Sequence, residues 1–363
     1  MRKSTGIVTA TIAASAFAFL MSAPTPAIAG SHEMIDGPKL KWRVSLWGKR
    51  RAFTESLEFI SDTVKKRTGG KFEFKLYYGE QLSKSKENLD AIAVGAVDAA
   101  LVCQSYHPKK LRTANVLDMP FLPITNFDVQ YAVSNAIFSH PVVKANFKQW
   151  NATIFAINVL PQYEYMGKGK APGSVADFKG MRLRALGGMG RSAKKIGAVP
   201  TTVPASETYN ALARGTVDAI GFPFTYAFSA YKLDEVADWY TTNMSLGTVN
   251  CPIVANIDSW NALPPQYKKL LNSLKKPAVE YQSAAYAKKD LENLKVWPTK
   301  MKAVTIPEEQ MAQFRKVAGQ PIWDEWVKET APTVPEAQEL LDLLLKTAAD
   351  ARKQFPTKRT YGK

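Results

Sequence analysis

From residue 41 the chain alternates apolar and polar positions (KWRVSLW, residues 41–47), the period of two that predicts a strand. Residues 51–67 then set Phe53, Leu57, Ile60 and Val64 at helical spacing, Gly69-Gly70 stops that helix, and residues 72–78 alternate again. Strand, helix, strand in this order is a parallel crossover unit. A second helix is expected at about residues 86–94, ended by Gly95, and VDAALVCQ leads into a third strand whose end carries Tyr106, His107 and Pro108. The phrase returns: AIAVGAVDAALV (91–102) and ALARGTVDAIGF (211–222) share the helix, the stopping glycine, Val-Asp-Ala and the apolar strand. Two such units imply two α/β halves built alike.

The remaining pattern fills in those halves. MPFLP (119–123) reads as a proline-bounded loop, residues 127–150 as helix broken near Pro141, and residues 152–160 as an apolar strand. YEYMGKGKAPG (163–173) is polar and glycine-rich and reads as the first connection between the halves. Further on come a strand at 249–257, a helix starting after Pro264-Pro265, another at 281–294 and a short strand at 304–306. An amphipathic helix at 336–355 carries Leu340, Leu343, Leu344 and Ala348 on one face.

The stretch at 176–228 organises the second half. Arg182 and Arg184 occupy alternate positions of a short apolar run, so on a strand their guanidiniums share a face, where one would grip an acid. Ser206 is placed to cap a helix with Glu207 in its first turn, Gly215 to stop it, and residues 216–222 to form a buried strand ended by Pro223. That unit delivers Phe222, Phe224 and Tyr226 to the C-terminal end of a strand, where open α/β sheets bind ligands.

Residues 1–29 have a basic start (Arg2, Lys3), an apolar centre and an Ala27-Ile28-Ala29 end, the form of a cleaved secretory signal, so the mature protein is expected to leave the cytoplasm. The net charge is +16, and removing Arg2 and Lys3 with the signal leaves +14. The lysines are scattered, with no arginine-rich arm or aromatic RNA-binding motif, so the charge reads as solvated surface and, with export, argues against a nucleic-acid partner. The remaining length favours two domains. Cys103 and Cys251 match no metal motif, and two free thiols or one bridge both fit the compartment.

Catalysis finds little support. Of the three histidines, His32 lies in the post-signal tail, His140 beside Pro141, and only His107 at a strand end; no nucleophile elbow, zinc-protease motif or phosphate loop is present. Nothing requires a cofactor. The aromatic residues say more: Trp47, Tyr106, Phe121, Tyr163, Tyr165, Phe222, Phe224 and Tyr226 fall at strand ends and loops. With one arginine they describe a mostly apolar small-molecule cleft with a fixed polar clamp.

GEQL (79–82), LDAIAVGAVDAALV (89–102), MPFLP (119–123), DFKGMRLRA (177–185), PASETYNALARGTVDA (204–219) and IDSWNALPPQYKKLL (257–271) follow one another along most of the mature chain. In these motifs the chain resembles the solute-binding subunits of tripartite ATP-independent periplasmic (TRAP) transporters, the family of the C4-dicarboxylate-binding protein DctP. The resemblance implies an α/β fold of two domains, a type II-like periplasmic binding protein with hinge closure and a long domain-spanning helix. Residues 30–160 with 249–288 would form domain I, and residues 161–248 with 289–363 domain II. It implies that Arg184 forms the salt bridge to a solute carboxylate, that Arg182 lies outside the pocket, and that TRAP permease membrane subunits are the partners. On this reading the chain is a binding protein and not an enzyme.

Trp47, Tyr106, Phe222 and Phe224 would wall the pocket, and Gln104, Tyr163, Tyr165 and Tyr226 would orient the solute by hydrogen bonds. Two departures from the family bear on the solute. YEYMGKGK lacks the second arginine that many relatives carry in that crossing, and Phe222 stands where an asparagine is common. A monocarboxylate with an apolar or aromatic body, or a 2-oxo or 2-hydroxy acid, is therefore expected ahead of a C4-dicarboxylate. Glu164 is expected to face outward, or else to accept a cationic group. A metal bridging solute and protein occurs in some relatives and stays open here. Family topology also sets the strand of Cys251 beside that of Cys103, which would allow a bridge if their Cα atoms lie within about 7 Å. The competing functions are a ligand-sensing module for a sensor kinase and a periplasmic enzyme using His107.

Overall fold

The alternating stretch at the start becomes strand β1 (Leu40–Ser45), whose inward positions Trp42 and Val44 are buried. The computed structural model describes residues 34–356, so the expected signal sequence and His32 lie outside the described residues. β1 pairs in parallel with β2 (Phe72–Tyr77) and β3 (Ala99–Leu101), while two strands from much later in the fold's path complete the sheet. These are β4 (Ala152–Ala156) and β10 (Ile253–Asn256), and the order is β2-β1-β3-β10-β4, with β10 antiparallel to both neighbours. A second sheet runs β11-β9-β5-β8-β6-β7, from β5 (Tyr163–Gly167), β6 (Arg182–Arg184), β7 (Val199–Thr201), β8 (Ala219–Pro223), β9 (Trp239–Thr241) and β11 (Lys302–Val304). Helices cover both sheets, as the mixed α/β pattern requires.

The repeated phrase does the same job twice. After each stopping glycine, an aspartate caps the amide of an arginine on the neighbouring parallel strand: Arg43 N donates to Asp98 and Arg182 N to Asp218, both at 2.7 Å. Each arginine's Nε donates to the same carboxylate oxygen at 3.2 Å. The Val-Asp-Ala spacing therefore fixes strand register, and it explains why Arg182 points outward to Asp218 rather than into a pocket.

Several boundaries differ from the sequence expectation. Residues 163–167 are not a polar crossing but β5, buried at every position and paired on both sides, because Tyr163, Tyr165 and Met166 face packed layers. Ser206 caps no helix; it lies within a 3-10 turn (Ala205–Glu207) that follows Pro204, and the α-helix begins at Thr208. The two helical segments around residues 265–294 are one helix, Pro265–Val296, about 48 Å long at the usual rise. Pro277 inside it removes one backbone bond, a cost of roughly 3 kcal/mol that packing on both flanks offsets.

That helix touches both halves. Tyr267 stacks on Phe72 of β2 at 5.1 Å, Gln282 donates to Phe53 O and accepts from Val159 N, and Tyr286 donates to Val159 O. Further along, Asp290 accepts from the amide and hydroxyl of Thr225 beside the second sheet. No described helix is long and apolar enough to cross a membrane. Cys103 and Cys251 form a disulfide, joining the end of β3 to the approach to β10 across 148 residues of sequence.

Candidate functional site

The C-terminal ends of β1, β3, β6 and β8 converge, each delivering an aromatic or basic side chain. β1 ends in Trp47; β3 runs into a 3-10 turn (Gln104–Tyr106) that presents Tyr106; β6 ends in Arg184; β8 ends in Phe222-Pro223 and leads to the helix Tyr226–Ala230. Tyr163 at the start of the antiparallel β5 joins them. Between them lies a small cavity of ≈30 Å³, also lined by Arg51, Phe53, Tyr231 and the Cys103–Cys251 bridge.

Arg184 is 1% exposed. Its Nε donates to Val203 O (3.0 Å), Nη1 to Gly221 O (2.8 Å) and Nη2 to the Tyr106 hydroxyl (3.4 Å), while its Cζ lies 4.5 Å from the Phe222 ring centre. Each of its three nitrogens is thus placed against a protein oxygen, and the Tyr163 phenol lies within hydrogen-bonding reach of the same guanidinium. No carboxylate pairs with it among the described residues. Gly221 leaves little room here, since an added Cβ would sit 3.0 Å from Arg184 O and 3.1 Å from the Tyr165 ring. Tyr163 and Tyr226 are fully buried, and burial pushes both phenols up, away from ionisation.

Arg51 was not anticipated. Its Nη1 donates to Trp47 O (2.8 Å) and Lys49 O (2.7 Å), and its Cζ stands 4.9 Å from the Phe53 ring, 5.5 Å from Tyr231 and 5.9 Å from Trp47. The signal was present in the basic turn GKRRAF at the end of the first parallel strand, where α/β folds place ligands. Tyr231 escaped notice because it follows a helix too short to read from periodicity.

Three expected site residues do not line the cavity. Gln104 turns its amide inward, donating to Asp118 Oδ1 at 3.1 Å; that carboxyl also accepts from Asn250 N, and burial pushes it well above the usual range. Tyr165 lies two residues deeper along β5, under Gly221 and against Phe178. Phe224 falls past the end of β8, where alternation stops, and packs on Tyr240 and Trp297. Glu164 does not face outward: it is buried, accepts from Thr241 Oγ1 and from the amides of Met244 and Ser245, and burial raises it to about 7. Its lone pairs are committed to those donors rather than to a cationic solute. His107 is buried outside the cavity with its pKa lowered to about 4 by desolvation and by Lys110, so its ring is neutral near pH 7. Among the described residues no cluster of His, Cys, Asp and Glu is arranged to hold a metal ion.

The family described as bacterial extracellular solute-binding protein, family 7 (DctP), matches the chain over residues 44–330. The chain belongs to this family. Among curated DctP-type relatives, a monocarboxylate 2-oxoacid-binding periplasmic protein of Nostoc sp. is 24% identical over 65% of this chain and 65% of its own length. Among solved structures, a TRAP solute-binding protein from Rhodoferax ferrireducens with copurified benzoate superposes with a TM-score of 0.79 at 20% identity, covering 87% of this chain and 99% of that one. A marine metagenome TRAP solute-binding protein, solved with metahydroxyphenylacetate, gives 0.77 at 18% identity, covering 86% and 99%. The family's fold is thus the one seen here, two sheets with a long helix across them.

Proposed function

We propose that this DctP-family protein captures a small organic acid, an aromatic or 2-oxo monocarboxylate in its simplest form, and delivers it to a TRAP-type membrane permease. The observation that carries the reading is Arg184: a buried guanidinium without a carboxylate partner, held rigid by two carbonyls at the wall of an aromatic cavity. A planar fork fixes a carboxylate by two parallel charge-assisted bonds, and the site is organised before the solute arrives. The binding partners named for the three relatives are a monocarboxylate 2-oxoacid, benzoate and metahydroxyphenylacetate, which supports an organic acid here.

At ≈30 Å³ the cavity is too small for a solute to enter without movement. We take the segments that link the sheets, residues 157–162 and 242–252, as the hinge, with the sheet-I and sheet-II halves as the two lobes and the closed form as the state the permease recognises. The test is a thermal-shift screen of ligand-stripped protein against monocarboxylates, 2-oxo acids, aromatic acids and dicarboxylates. A solute at ~100 times its dissociation constant should add about 2.7 kcal/mol of stability. Arg184→Met should abolish the shift, and an acid that stabilises both proteins equally would refute the clamp.

A further inference from the structure

The cavity holds not one unpaired guanidinium but two. Arg51 and Arg184 both line it, and neither forms an ion pair among the described residues, although their neighbours Arg50 and Arg182 do. Aromatic rings separate the two cations: Arg51 stacks near Tyr231, Tyr231 lies 5.3 Å from Phe222, and Phe222 lies under Arg184. On another wall Trp47 is 6.3 Å from Tyr106, whose hydroxyl meets Arg184. Both cations therefore line one cavity, linked to each other through a run of aromatic contacts.

The Arg51 end also carries unsatisfied polar atoms. Arg51 Nε is buried without a hydrogen-bond partner, and so is the Tyr231 hydroxyl. Two such groups beside one small cavity are costly unless something with a lone pair meets them. Arg51 is also the wall between this cavity and an outer depression near Tyr281 and Lys288, but its Nε is closed off from water, so solvent on the outer side does not satisfy it. Carbonyl oxygens of Trp47 and Lys49 accept from Nη1 and hold the partly exposed fork in place.

We infer that the natural solute is a compact aromatic acid with a second oxygen acceptor, a carboxylate or hydroxyl, which Arg51 and Tyr231 bind while Arg184 holds the first carboxylate. This rests on the reading of Arg184 as the carboxylate clamp. Arg51 thereby becomes the residue that sets specificity, and it supplies from the first strand the second positive charge that the YEYMGKGK segment lacks. The rings between the two arginines suit a flat body, and both cations are neutralised when the second acceptor is a carboxylate.

The experiment measures dissociation constants of benzoate, 3-hydroxybenzoate and benzene-1,3-dicarboxylate by calorimetry, for the mature protein, Arg51→Met, Arg51→Lys, Tyr231→Phe and Arg184→Met. In the unaltered protein the better of the two disubstituted acids should bind about tenfold or more tightly than benzoate, the scale of one charge-assisted bond. That ratio should fall toward one in Arg51→Met, and Tyr231→Phe should lower it for the hydroxy acid. Should Arg51→Met bind nothing, the ratio is read in Arg51→Lys, which keeps the charge but not the planar fork and should still lose part of the preference. Benzoate binding as tightly as the disubstituted acids, an undiminished ratio in the Arg51 variants, or no binding of any of the three acids would overturn the inference. Arg184→Met separates the two proposals: if it leaves affinities untouched, the clamp itself is wrong, whereas loss of all binding there with an unchanged ratio in Arg51 variants refutes only the second anchor.

Discussion

The hydroxyl of Tyr106, carried by the first sheet, lies 3.4 Å from Nη2 of Arg184, carried by the second, and it also accepts from the amide of Ala205 at 3.1 Å. One oxygen thus joins the two halves directly over the cavity. Tyr106→Phe removes both bonds while keeping the ring against Trp47. Losing them should weaken solute binding by roughly 1 to 2 kcal/mol, mostly through faster release. Stopped-flow dissociation rates check this, and an unchanged off-rate would show that the hydroxyl does not hold the closed form.

Gly221→Ala tests the mounting of the clamp. The new methyl would press on Arg184 O and the Tyr165 ring, and β8 has paired strands on both sides. Overpacking of this kind costs about 1 to 3 kcal/mol. Because Gly221 O holds Arg184 Nη1, affinity should fall as well, in protein that urea melts show to be folded at the assay temperature. Full affinity in this variant would mean that the guanidinium does not need its carbonyl.

Glu164 gives a pH dependence with a definite sign. Its pKa rises from 4.5 unfolded to about 7 folded, so between those values the native state keeps a proton that the unfolded chain has lost. Stability from this group is complete below about pH 4.5 and declines as pH rises through 7. Asp290, raised from 3.8 to about 6, acts in the same direction; His107, lowered from 6.5 to about 4, acts oppositely. In Glu164→Gln the amide must face one of the backbone donors, a penalty independent of pH. The fall in melting temperature from pH 5 to pH 8 should therefore be smaller in Glu164→Gln than in the parent, and identical falls would remove Glu164 from the account.

Reducing the Cys103–Cys251 bridge opens a loop of 148 residues in the unfolded chain, for which loop entropy predicts a loss of about 4 to 5 kcal/mol. Since both cysteines line the cavity, affinity should drop too. Melting curves of Cys103→Ser/Cys251→Ser against the oxidised protein decide it; a near-equal melting temperature would show that the bridge adds little.

Local pattern made much of this protein legible. Period-two and period-3.6 spacing, stopping glycines and the repeated Val-Asp-Ala phrase place most strands and helices, because those signals depend on neighbours within a few residues. They also marked the strand ends where Trp47, Tyr106, Phe222 and Tyr226 meet. They failed where the outcome depends on distant chain. YEYMG looks polar, yet β8 and β9 flank it and bury Glu164. Gln104 has the chemistry of a ligand residue, yet Asp118 claims its amide.

The sequence by itself determined the α/β halves, their repeat, the family and the presence of an arginine at the end of a short strand. Tertiary structure decided which arginine matters. Arg182 and Arg184 are alternate residues of one strand, but Asp218 neutralises the first at the surface, while Tyr106 and Phe222 enclose the second. It also brought in Arg51 and Tyr231 and joined Cys103 to Cys251. Burial and pairing are properties of the space between elements, and no periodicity along a single element encodes what the opposite wall will be.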